Sequence, residues 1–98
     1  MVVHVFIAPI KEGISEQLVN QKITEMKELK NQIPEIIDLK IGRNTGWMGI
    51  DNAITMIIQV KNKEDWQTFL DNPHHVQLGA EADDTFDTER FVVCQFEM

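Results

Sequence analysis

Three short apolar runs restrict what this chain can become: Val2 to Ala8 (VVHVFIA), Ala53 to Val60 (AITMIIQV) and Phe91 to Phe96 (FVVCQF). Each is too short for a buried helix and rich in β-branched or aromatic residues, so each predicts a strand. Successive side chains of a strand point to opposite faces. In the first run Val3, Val5 and Ile7 share one face, and Val2, His4, Phe6 and Ala8 share the other. In the second, Ile54, Met56, Ile58 and Val60 oppose Thr55, Ile57 and Gln59. In the third, Val92, Cys94 and Phe96 oppose Phe91, Val93 and Gln95. Both faces are partly apolar, whereas an antiparallel sheet with one wet face alternates more cleanly.

The segments between the runs supply the remaining elements. Ser15 is a good N-cap, and Ile14 before it stands at staple spacing from Val19. Val19, Ile23, Met26, Leu29 or Lys30, and Ile33 then recur at helical spacing over about four to five turns. Pro34 ends that helix by disfavouring the helical region at Ile33. Ile36 to Ile41 alternates and predicts a second strand, followed by a glycine-rich loop from Gly42 to Asn52. Asn62 caps a second helix whose apolar face is Trp66, Phe69 and Leu70, and Asn72-Pro73 breaks it. A short further helix is expected from His74 to about Glu81. Glu81, Asp83, Asp84, Asp87 and Glu89 fit no EF-hand spacing and read as a solvated face.

The order is β-α-β-β-α-β in 98 residues, enough for one domain with a modest core. It predicts an α+β, ferredoxin-like subunit: four antiparallel strands with both helices on one face. Two helices cover only one face of such a sheet. The other face needs a partner, and a second copy related by a two-fold axis closes it without forming fibres.

Charge and cysteine content narrow the function classes. Sixteen acidic against nine basic residues give a net charge of −7, with no basic stripe, so nucleic acid and anionic lipid are poor partners. The single cysteine, Cys94, allows no internal disulfide and suits a reducing compartment; in its apolar run it reads as an inert buried thiol. The first residues lack the basic start and small-residue cleavage site of a secretory leader, so a cytoplasmic location is expected. No H-x-x-x-H, C-x-x-C or carboxylate spacing marks a side-chain metal site, and Gly42 to Gly49 lacks the order of a phosphate loop.

Six short motifs, each weak alone, occur in register: Val3-His4, Lys11-Glu12-Gly13-Ile14-Ser15, Ile33-Pro34-Glu35-Ile36, Ile41-Gly42-Arg43-Asn44, Asn72-Pro73-His74-His75 and Val92-Val93-Cys94-Gln95-Phe96-Glu97. Together the chain resembles the stress-responsive α/β-barrel (Dabb) domain family over essentially its full length. The resemblance implies a homodimer forming a dimeric α/β barrel. Its interface would be Val3, Val5, Ile7, Ile57, Val92, Cys94 and Phe96, with Trp47 from the loop. It also implies a small pocket between sheet and helices for an apolar or aromatic ligand. Phe6, Ala8, Met56, Ile58, Phe91 and Val93 would line it from the strands, and Met26 and Phe69 from the helices.

Some relatives of that kind are polyketide cyclases without an organic cofactor, and related dimeric barrels include heme-independent oxygenases. The cyclase pattern has a histidine in the first strand and another two residues after the proline, which match His4 and His75. Imidazole titrates near neutral pH, and an apolar pocket keeps it neutral, as a general base requires. The bland alternatives are a hydrogen-bonded core histidine at His4 and a helix-end packing residue at His75. His74, about 100° away on a helix, faces solvent in either case. Where the cyclase pattern has a tyrosine this chain has Phe69, and where the last strand usually has an aspartate it has Gln95. Some relatives hold a divalent ion such as Mg2+ by backbone carbonyls before the second strand, here those of Lys30, Ile33 and Ile36. Trp66 reads most simply as core.

Overall fold

The computed structural model describes residues 1–98. Four strands form one sheet: β1 (Val2–Pro9), β2 (Asp38–Arg43), β3 (Ala53–Val60) and β4 (Val92–Glu97). Their order across the sheet is β2-β3-β1-β4, and every neighbouring pair is antiparallel. Three helices connect them: α1 (Glu16–Gln32), α2 (Lys63–Asp71) and α3 (Pro73–Glu81). This is the ferredoxin-like arrangement. No helix is long and apolar enough to cross a membrane.

The strand register settles which face is which. His4 pairs with Ile58 and Gln95, and Phe6 with Met56 and Val93, so these side chains share the helix-covered face. Val5 pairs with Ile57 and Cys94, and Ile7 with Val92, on the far face. The core forms between the first face and the helices. Val19, Met26 and Leu29 of α1, Phe69 of α2, and Ile54, Ile58 and Val60 of β3 are all buried there. The far face has no helix over it. Ile57, Val92 and Phe96 are exposed on it, and Val5 and Ile7 are half-buried.

Several boundaries differ from the sequence pattern for local reasons. β2 starts at Asp38, because Ile36 turns inward to the core while the Ile37 N–H bonds the Gln59 carbonyl at 2.8 Å. Val3 lies on the far face but is already buried within one subunit, flanked in the sheet by Gln59 and Phe96, so a partner has little of it left to cover. Cys94 is exposed rather than buried, because its β-strand position turns it to the uncovered side. Trp47 and Met48 are almost fully exposed on the β2–β3 loop. The acidic stretch is not merely a solvated face. It folds into two short 3-10 turns, and between them Thr85 and Phe86 are buried, with Phe86 bridging to Ile10.

Pro73 does more than stop α2. Asn72 closes α2 through its backbone N–H to the Phe69 carbonyl, and its side-chain oxygen accepts the His74 N–H at 2.9 Å. Pro73 occupies the first turn of α3, where a missing N–H costs nothing. One residue thus ends one helix and starts the next, and sets the angle at which His75 enters the fold. Asn72→Ala is expected to lower stability by about 1 kcal/mol, the worth of a typical N-cap, as read from the midpoint of urea unfolding.

Candidate functional site

A cavity of about 270 Å³ lies between the sheet and the helices. Its sheet side carries His4, Phe6, Met56, Phe91 and Val93, and its α1 side Lys22, Met26 and Leu29. The third side is α3 with its flanking residues: Leu70, His75, Leu78, Gly79, Ala82 and Phe86. Both candidate imidazoles therefore reach one apolar space. Of the expected lining residues, Phe6, Met26, Met56, Phe91 and Val93 are on its wall. Ala8, Ile58 and Phe69 are not; each is fully buried in the core behind it. Ala8 is too short to emerge from its central strand, and Ile58 and Phe69 pack against each other's layer of sheet and helix.

Phe69 separates the two imidazoles. Its ring stands edge-on to His4, 5.5 Å between centroids, and tilted against His75 at 4.6 Å. These are favourable aromatic spacings, so the ring holds both imidazoles in place and adds no proton of its own. Phe6 and Phe91 meet at 4.7 Å in an edge-to-face pair on the cavity wall.

The hydrogen bonds give each histidine a different setting. His75 Nδ1 lies 2.9 Å from the Leu70 carbonyl, an acceptor, so Nδ1–H donates. Its Nε2 has no protein partner. His4 Nδ1 lies 3.2 Å from the Trp66 indole Nε1 and 3.1 Å from Gln95 Nε2. Burial lowers the His4 pKa, and the charge of His75 lowers it further. His74 is exposed and distant in role, as helical geometry requires.

Two groups escaped the sequence reading. Trp66 is half-buried and is tied to His4, not simply core; its position one turn before Phe69 and Leu70 was the available signal. Lys22 is buried on the cavity wall, with Nζ 3.3 Å from Glu25 and 3.7 Å from Glu81. It sits within the apolar stripe Val19, Met26 and Leu29, where a lysine is out of place, and its methylenes cover apolar surface while the ammonium meets carboxylates. The stripe His75, Leu78, Gly79, Ala82 follows i, i+3, i+4, i+7 spacing and marks the α3 wall.

No three His, Cys, Asp or Glu side chains converge anywhere to hold a metal ion. Of the backbone carbonyls of Lys30, Ile33 and Ile36, that of Ile33 already accepts the Ile36 N–H at 3.1 Å.

The model of the stress responsive A/B barrel domain, Dabb, matches residues 2–96. The chain belongs to this family. Among solved structures, this Dabb chain is similar to a dimeric ferredoxin-like protein of unknown function from Thermobifida fusca. The identity is 18%, the match covers 99% of this chain and 90% of that one, and the TM-score is 0.85. It is also similar to a hydroxynitrile lyase from Passiflora edulis, at 20% identity, 99% and 92% coverage and a TM-score of 0.84. A third is a cofactor-independent oxygenase from Streptomyces nogalater, at 10% identity, 99% and 91% coverage and a TM-score of 0.77. At these identities the shared property is the fold. No curated protein matches the chain.

The lowered His4 pKa makes stability depend on pH in a definite sense. The unfolded chain takes up a proton at His4 near the ordinary value of 6.5, while the folded chain resists it to lower pH. The stabilisation is therefore fully present above about 6.5 and is lost as pH falls through the folded value. His4→Gln removes that contribution. Urea unfolding at about pH 7.5 and about pH 5.5 should show a larger loss on acidification in the natural chain than in His4→Gln.

Proposed function

We propose that this Dabb domain binds a small apolar or aromatic ligand in the cavity between sheet and helices, as a homodimer joined through the far face of the sheet. The observation that carries the ligand reading is that both imidazoles line one apolar cavity of about 270 Å³. Ligand sites are typically apolar spaces with a few convergent polar groups. Gly79 supports the same reading. It lies in α3 on the cavity wall, and a Cβ built there meets nothing within 4 Å. Glycine inside a helix costs about 1 kcal/mol relative to alanine, and here no packing contact explains it; it leaves the cavity open.

The homodimer rests on the far face. Ile57, Val92, Cys94 and Phe96 are exposed there beside the half-buried Val5 and Ile7. Burying each Val, Ile or Phe fully contributes roughly 1.5–3 kcal/mol, so a few suffice for a stable pair. Trp47 reaches out from the β2–β3 loop toward the same partner.

A second reading is cofactor-independent catalysis with His75 as general base. It is favoured by the unpartnered Nε2 of His75 on the cavity wall. The similarity in fold to a hydroxynitrile lyase and a cofactor-independent oxygenase supports it. His75 would take a proton from carbon or oxygen of the ligand, and neutral His4 would face the charge that develops.

A thermal-shift screen with aromatic and polyketide-like acids tests the pocket. A ligand at about a hundred times its Kd stabilises the fold by about 2.7 kcal/mol, which raises Tm by roughly 10–20 °C. Gly79→Val fills the cavity from α3 and is expected to abolish that shift while the protein stays folded; an undiminished shift places the ligand elsewhere. His75→Ala is expected to reduce turnover of any substrate found. For the dimer, light scattering of Phe96→Asp at about 10 μM is expected to show a folded single chain where the natural protein shows a pair, since a charge buried without a partner costs several kcal/mol.

A further inference from the structure

The indole N–H of Trp66 has a hydrogen and no lone pair, so it can only donate. It meets Nδ1 of His4 at 3.2 Å. That nitrogen must therefore carry a lone pair. The same constraint orients Gln95. The strand register places Gln95 directly beside His4, and its side-chain nitrogen is 3.1 Å from Nδ1. Against a nitrogen that accepts, the carboxamide presents its NH2 and not its oxygen. Two donors converge on one acceptor.

The proton of neutral His4 is then on Nε2. This atom has no protein partner. Only two sealed side-chain polar atoms lack a hydrogen bond, Thr85 Oγ1 and Glu25 Oε2, the latter still in ion-pair range of Lys22, so Nε2 of His4 is not sealed; it opens on the cavity that His4 lines. Adding a second proton at Nδ1 would set an N–H against two other N–H groups and break both bonds. His75 is held the opposite way. Its Nδ1–H donates to the Leu70 carbonyl, which leaves the Nε2 lone pair free.

We propose that Trp66 and Gln95 are positioning residues that lock His4 as a hydrogen-bond donor, so that the cavity selects an apolar ligand that carries an acceptor oxygen for His4 Nε2–H. This rests on the reading of the cavity as a ligand site and names the one polar group that its ligand must present to His4.

The test uses nitrogen NMR of the imidazoles together with two probes of similar shape, acetophenone and ethylbenzene. In the natural chain near neutral pH, His4 is expected as the Nε2–H tautomer alone. Acetophenone is expected to bind about tenfold more tightly than ethylbenzene, the worth of one hydrogen bond. In Trp66→Phe combined with Gln95→Glu the tautomer should move to Nδ1–H. The preference for the ketone should disappear while ethylbenzene affinity is kept, which a loss of structure alone would not do. An Nδ1–H or mixed tautomer in the natural chain overturns the proposal without recourse to any variant. Equal binding of the two probes overturns the ligand class and leaves the pocket standing. Failure of both to bind overturns the pocket itself, and the ligand class with it.

Discussion

The two-residue pleat of β1 governs the rest of this molecule. β1 is a central strand, hydrogen-bonded to β3 on one side and β4 on the other, and its alternation cannot slip without exchanging faces. That alternation sends His4 and Phe6 into the space under the helices and Val5 and Ile7 to the opposite side. A shift of one residue would put Val5 in the cavity and an imidazole on the uncovered surface. The register also brings Gln95 beside His4 from a position 91 residues away. The cavity and the proposed dimer surface are thus two outcomes of one strand's geometry.

Burial and hydrogen bonding then divide the labour between two identical side-chain types. His4 is enclosed and surrounded by donors, so charge on it is disfavoured. His75 enters from the start of a helix with one nitrogen engaged by a backbone carbonyl. Between them Phe69 supplies contact without ionisation. A phenol at that place would bring its own proton; the benzene ring brings none.

Much of this was legible in the residues, for a physical reason. Strand alternation and helical spacing are local, so VVHVFIA, AITMIIQV and the Ser15-capped stripe announce their elements and their faces. The motifs around His4 and His75 singled out both imidazoles through the family resemblance, while their separation stayed open until the fold was in view. What depends on side-chain reach across elements was less legible. Ala8, Ile58 and Phe69 share the right face with the cavity residues, yet depth along the sheet normal, which alternation does not encode, puts them behind it. Cys94 was misplaced because apolar neighbours in sequence do not say whether a sheet face is covered. Trp66 and Lys22 were hidden because each satisfies helical periodicity, while the group that matters, an indole N–H or an ammonium, is decided by a partner far along the chain.

The wall that α3 lends to the cavity has no buried residue of its own. Leu78 and Gly79, with Ala82 just after the helix, border the cavity, and Leu78 and Ala82 reach the core only from its edge. Changes there alter the size and shape of the cavity while leaving the packed layer of Val19, Leu29, Ile54 and Phe69 in place. The residues that shape this wall and those that hold the fold together are therefore largely different, so the cavity's outline can be redrawn by small steps at little cost to the packed layer.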